Sequence, residues 1–182
     1  MRDIISIKPF FPLQGEQVHL HLFKREDITE SYVGWLNDKD VVRYSNQRFI
    51  NHSIASSVDY FNSFQKNNAL FVAIRLKDTG QMVGTMTVYF NYQHQVADIG
   101  IMIGEKNCWG KGIGKDAWLT LLTFLSNEVG VRKITGGTLA LNLGMIKIMR
   151  ESGMKEDGVR RQHELVDGKA HDILHFTKLS HE

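Results

Sequence analysis

Residues 108–116 read Cys-Trp-Gly-Lys-Gly-Ile-Gly-Lys-Asp and stand directly between a β-rich run, residues 95–104, and a helix-period segment, residues 117–125. The position of this loop constrains the chain more than its letters do. Glycines at a strand-to-helix turn let the backbone approach a ligand closely, and the first free N–H groups of the helix, aided by its dipole, form an anion site. Lys111 and Lys115 add positive charge beside it, which suits a ligand carrying more than one phosphate. The plain alternative is that the glycines only make a tight turn.

Two phosphate motifs fail on spacing. A Walker A loop ending on Gly114-Lys115 needs glycine at 109 and Ser or Thr at 116, where the chain has Trp109 and Asp116. ATP hydrolysis would lack its magnesium ligand. A dinucleotide fingerprint needs G-x-G-x-x-G, but the third glycine comes one residue early, and the loop follows a meander rather than opening a β-α-β unit.

The meander is read from LFVAIRL, MVGTMTVYF and QVADIGIMIG, β-rich runs separated by the turn-like KDTGQ and NYQH. Before it, Val18–Phe23 alternates as a first strand. Asp27 is a candidate N-cap for a helix carrying Ile28, Tyr32, Trp35 and Leu36. A short helix is expected over residues 40–44. Ser53 is a candidate cap for a third, with Ala55, Val58, Phe61 and Phe64 recurring at threes. After the loop come a helix, the strand VRKITGGTLAL, a helix from Met145 to Glu151, and strands near residues 155–166 and 171–178. The order β-α-α-β-β-β-α-β-α-β-β describes an α+β layer fold. At 182 residues one domain is expected, residues 18–182, behind an arm, residues 1–17, that holds both prolines.

The run A-D-I-G-I-M-I-G-E-K-N-C-W-G-K-G-I-G resembles motif A of the GCN5-related N-acetyltransferases, a strand, a [QR]-x-x-G-x-[GA] loop and a helix. Downstream, Asn142 followed by MIKIMRESGMKEDG is similar to the family's N-x-x-[SA]-x-x-L-Y-x-x-x-G-F segment, with Asn142, Gly153 and Met154 in step. WGKG before a helix, with the closing RRQHELVDGKAHD, most resembles the ribosomal-protein and polyamine acetyltransferase subgroup.

The resemblance implies a mixed, mostly antiparallel central sheet, flanked by helices and splayed between its fourth and fifth strands, with acetyl-CoA in the gap. Backbone N–H groups of Trp109, Gly110, Lys111, Gly112, Ile113, Gly114 and Lys115 would hold the pyrophosphate. Ile101, Met102 and Ile103 would pair with the pantetheine arm, and Asn142 would contact the cofactor. Met102 N–H would be the oxyanion donor. Trp109 stands where many relatives have Gln or Arg. Met149 stands where many have a tyrosine general acid, and a thioether donates no proton.

Direct attack by an amine needs a proton acceptor. Asp98, eleven residues ahead of Trp109, matches the glutamate base of histone acetyltransferases in this family; an ordinary exposed strand carboxylate is the alternative. His19, His21, His163 and His171 read as surface or structural groups. His19 and His21 share a strand face without a third ligand, so no metal site is expected. Met145, Met149 and Met154 read as core fillers and Cys108 as incidental.

For the acceptor, the segment VVRYSNQRF offers Arg43, Tyr44 and Arg48 with Asn46 and Gln47, suited to an anionic or hydroxyl-rich molecule such as an amino sugar. Pairing of the arginines with Asp38 and Asp40 is the alternative. The expected activity is acetyl transfer from acetyl-CoA to a primary amine. A protein N-terminal or polyamine acceptor, or an acetyl-CoA-binding module with weak turnover, are the competing readings. A net charge of +2 gives no reason to expect nucleic acid, and no apolar run suggests a membrane span. One cysteine in 182 residues fits a cytoplasmic protein, a monomer or homodimer.

Overall fold

Ala69–Ile74 is apolar at every position, as a strand covered on both faces requires, and the computed structural model places it in a strand and buries all six residues. The structure describes residues 1–180; the last two residues of the expected domain lie outside them. The strands are β1 (Leu13–Gln14), β2 (Val18–Leu22), β3 (Ala69–Leu76), β4 (Met82–Asn91), β5 (Val96–Ile103), β6 (Lys133–Leu139), β7 (Lys155–Val166) and β8 (Lys169–Leu179). The helices are α1 (Ile4–Ile7), α2 (Glu30–Asn37), α3 (Ile54–Lys66), α4 (Ile113–Phe124) and α5 (Leu143–Glu151).

These strands form one sheet in the order β1-β2-β3-β4-β5-β6-β8-β7. Every pairing is antiparallel except β5 with β6, which is parallel and ends after three residue pairs, Val96 with Lys133 through Asp98 with Thr135. Beyond that point the two strands part, at the expected place counting from β2. The fold is the expected α+β sheet with helices on both faces.

Two cores lie either side of the sheet. Leu70, Val72, Ile74, Met86, Val88 and Ile99 pack with Trp118, Leu121 and Leu122 of α4 and Met149 of α5. Phe71 and Ala73, alternate residues of β3, pack with Tyr32, Val33 and Leu36 of α2 and Phe64 of α3. The arm joins the first core through Ile7, fully buried.

Local chemistry departs from expectation in three places. Thr29, not Asp27, caps α2, accepting from Tyr32 N–H; Asp27 instead closes a preceding 3-10 turn, accepting from Lys24 N–H at 2.8 Å and pairing with Arg75. Both residues carry a capping oxygen, and the one nearer the helix start takes the role. Residues 40–44 form turns rather than a helix, because the Asp38 carboxylate accepts from Asp40 and Val41 N–H and so competes with helical bonding; a 3-10 turn follows at Asn46–Phe49. Ser53 does cap α3, but Ala55 is exposed and the inward face carries Ser57 and Phe64.

Candidate active site at the strand split

A cleft of about 1150 Å³ runs from the glycine loop through the β5–β6 split to the underside of α2 and α3. Strand β5 serves both ends because its side chains alternate. Ile101 and Ile103 join the α4 core, whereas Met102 joins the α2–α3 core. The backbone alternates as well. Gly104 N–H donates to Val83 and Phe90 N–H to Asn68, so Met102 and Gly100 turn their backbone toward β4, paired with Thr85 and Thr87. The gap-facing edge belongs to Ile99, Ile101 and Ile103. Accordingly the Ile99 carbonyl points at Gly136 of β6, and the Ile103 carbonyl is free to accept from the Trp109 indole N–H at 2.8 Å. The oxyanion role expected for Met102 N–H therefore does not fit, since that amide lies in the β4–β5 ladder.

On the α4 side, Gly110 (φ +73°) and Gly112 (φ +85°) adopt left-handed backbone that other residues strain to reach, and Gly112 is the N-cap of α4. A side chain at Gly114 would meet Ile103 and Ile148 at 3.4–3.5 Å, inside the cleft. Trp109, Gly110, Gly112, Gly114 and Lys115 line it with Ile101, Met102, Ile103 and Asn142. Ile113 turns into the core, and Lys111 is not among the lining residues. Asn142 caps α5, its side-chain oxygen accepting from Met145 N–H at 3.2 Å, which leaves its amide N–H₂ for the cleft. At the rim Glu151 pairs with Lys115 at 2.8 Å and Lys147 at 3.7 Å. Cys108 lines the cleft too, its thiol pKa pushed up by burial, which leaves little thiolate.

A residue the sequence reading passed over orients this helix. Asp116, in the first turn of α4, accepts from three successive backbone N–H groups at the start of β2: Glu16 at 2.9 Å, Gln17 at 2.7 Å and Val18 at 3.0 Å.

On the opposite face, Asp98 accepts from the Thr135 hydroxyl at 2.6 Å across the last β5–β6 pair. The residue as a whole is exposed, yet burial of its carboxyl away from water pushes its pKa above the ordinary value, against the Thr135 hydrogen bond and the charge of His175. Asp98 does not itself line the cleft, whose β5 wall begins two residues on at Gly100. His175, unremarked in the sequence, lies over Gly137: a Cβ there would stand 3.3 Å from its ring.

Of the three residues expected to meet the acceptor, Tyr44 lines the cleft and Arg43 and Arg48 do not. Arg43 lies over the Tyr44 ring at 5.5 Å. Arg48 pairs with Glu164 of β7 at 3.3 Å rather than with Asp38 or Asp40, which are held by Lys106 at 2.7 and 3.1 Å. Met149 is 1% exposed and fills the core beneath Gly136. Among the described residues no cluster of His, Cys, Asp and Glu could hold a metal, and no helix is long and apolar enough to cross a membrane.

The site thus lies where an α+β sheet parts between two strands, with a glycine loop at one end and an open chamber at the other. Residues 17–155 match the acetyltransferase (GNAT) domain family, so the chain belongs to the GNAT N-acetyltransferases. It is 25% identical over 174 residues, 93% of this chain and 97% of the relative, to the uncharacterized N-acetyltransferase p20 of Bacillus licheniformis. A GNAT-family acetyltransferase from Bacillus anthracis superposes with TM-score 0.80 at 16% identity, covering 93% of this chain and 99% of that one. The spermidine N-acetyltransferase of Vibrio cholerae, solved with CoA and spermine, superposes with TM-score 0.81 at 18% identity, covering 91% and 96%.

Proposed function

We propose that the protein transfers an acetyl group from acetyl-CoA to a primary amine borne on an uncharged, hydroxyl-rich small molecule such as an amino sugar. The observation that carries this is the continuity of the cleft from Gly112 through the split to a chamber walled by Tyr44, Ser45, Ser56, Thr85 and Thr87. The α4 N-terminus and Lys115 suit the pyrophosphate. The gap-facing N–H groups of Ile101 and Ile103 suit the pantetheine amides and the thioester oxygen, the role first expected of Met102. Asp98 takes the amine proton, through water that enters past Gly100. With Met149 buried, the departing thiolate leaves without a tyrosine acid, which a thiol pKa near ~8.5 permits.

Charge supports this acceptor class. A polyamine needs free carboxylates, but among the described residues that line the cleft Asp40 is held by Lys106 and Glu151 by Lys115 and Lys147. A nucleotide-linked sugar needs free cations, but Arg48 is held by Glu164 and Arg43 lies off the lining. Neutral hydroxyl-bearing amines suit the hydroxyl and aromatic lining that is left. Thiol release from acetyl-CoA, measured side by side with glucosamine, a nucleotide-linked amino sugar, spermidine and a short peptide, tests this reading. Glucosamine is expected to turn over fastest; preference for spermidine or the peptide would overturn the acceptor assignment while leaving the acetyltransferase assignment intact.

A further inference from the structure

One helix contributes a buried polar group to the acceptor chamber that packing does not explain. The inward face of α3 carries Ser57, Tyr60, Phe61 and Phe64 at helical spacing, so serine heads an otherwise aromatic stripe. Ser57 is 2% exposed, its hydroxyl has no partner in the protein, and it lines the cleft. A helical serine commonly bonds back to the carbonyl four residues earlier. Here that carbonyl, Ser53 C=O, already accepts from Ser57 N–H at 3.0 Å and from the Ser56 hydroxyl at 3.1 Å. Burying a hydroxyl unbonded lowers stability, and alanine would fill the position without that cost.

Around Ser57 the walls are aromatic. Phe71 on the floor meets Tyr60 edge-on at 5.5 Å and Tyr32 at 6.5 Å, and all three face the cleft. Aromatic walls with one unbonded hydroxyl suit a ring that presents its C–H face to the tyrosines and a hydroxyl to the serine. We infer that this recess receives the ring of the acceptor and that Ser57 recognises a hydroxyl on it, making the substrate class a neutral primary amine on a hydroxylated six-membered ring. The inference rests on the acceptor reading given above and adds to it a residue that sets specificity.

The test compares cyclohexylamine with the 2-, 3- and 4-aminocyclohexanols, which share the ring and differ by the hydroxyl, in a thiol-release assay with acetyl-CoA. The best aminocyclohexanol is expected to exceed cyclohexylamine in kcat/KM by about tenfold, the factor that one hydrogen bond supplies. Ser57→Ala should bring that ratio close to one by raising KM for the hydroxylated amine, with kcat and the cyclohexylamine constants little changed. Ser57→Thr, which keeps the hydroxyl, should restore the preference. The melting temperature of Ser57→Ala should equal or exceed that of the parent; a fall would assign Ser57 to structure and overturn the inference. An unchanged ratio in Ser57→Ala, or equal turnover of both amines by the parent, overturns the role of Ser57 alone. Turnover of spermidine with neither ring amine accepted overturns the acceptor reading and this inference together.

Discussion

Removing the Asp116 carboxylate should unhook α4 from the start of β2, and the cost follows from its three bonds. Asp116→Ala leaves Val18 N–H, fully buried, with no partner, a loss of about 1–3 kcal/mol. Glu16 and Gln17 N–H are partly buried and regain water, so each costs about 0.5–1.5 kcal/mol. The variant should therefore lose roughly 2–6 kcal/mol, a large share of the ~5–15 kcal/mol that holds an ordinary domain together. In urea, with a slope near ~2 kcal/mol/M, the midpoint should fall by roughly 1–3 M at unchanged slope. Asp116→Asn should lie between, since its amide nitrogen meets donors that it cannot accept from. Gly15→Ala offers a second approach to the same contact, because its Cβ would stand 2.7 Å from the Asp116 carboxylate. A midpoint shift below about 0.3 M in Asp116→Ala would refute the reasoning, showing that all three N–H groups find other partners at no net cost.

The remaining expectations concern the cleft. Gly114→Leu places a side chain against Ile103 and Ile148 at a position with ordinary helical backbone, so acetyl-CoA affinity by calorimetry should fall at least ~10-fold with the melting temperature held; unchanged affinity would remove the cofactor from this end. Asp98→Asn should lower kcat by ~10²-fold, and the parent's acid limb in kcat/KM should lie above the ordinary carboxylate range, because burial raises the Asp98 pKa. The same shift has a sign for stability: a raised carboxyl pKa disfavours the charged form in the fold, a penalty absent below the unfolded pKa and present once pH exceeds the folded one, so Asp98→Asn should be no less stable than the parent at neutral pH. Arg43→Ala should leave the acceptor KM within about twofold, since Arg43 lies off the cleft lining; a larger rise would return it to the site.

What the sequence could disclose was local. β-rich runs punctuated by turn-like segments over residues 69–103 specified the meander, and glycines at a strand-to-helix turn specified the loop, because each strand and the loop is signalled within a dozen residues of chain. The missed features join distant segments. The Asp116 clamp spans 98 to 100 residues and the Arg48–Glu164 pair 116, and nothing local distinguishes such side chains from solvated ones. For that reason Arg48 looked like an acceptor group and proves to tie the 3-10 turn at Asn46–Phe49 to β7. Ser57 was within reach: reading the α3 stripe through Tyr60 and Phe64 rather than Ala55 and Val58 would have exposed a polar residue at an apolar position. Asp27 and Thr29 were ambiguous because two capping side chains stood two residues apart.

Two adjacent glycines explain how β6 can border the split from both faces at once. A Cβ at Gly136 would lie 3.1 Å from Met149 and 3.2 Å from Trp118, with the Ile99 carbonyl of the facing strand at 3.3 Å, so a side chain there would need these α4 and α5 groups to give by a few tenths of an ångström. A Cβ at Gly137 would meet the His175 ring on the other face, beside Thr135 and Asp98. Alternation puts successive residues on opposite faces, so one glycine cannot relieve both contacts and the chain uses two. The first lets the buried helices sit close beneath the gap where the cofactor arm would lie. The second lets the His175 ring, whose charge bears on the Asp98 carboxyl, close over the strand at the same level. Substitution at either position should therefore affect one half of the reaction apart from the other: Gly136→Ala through core packing and acetyl-CoA affinity, Gly137→Ala through the pH dependence that Asp98 sets.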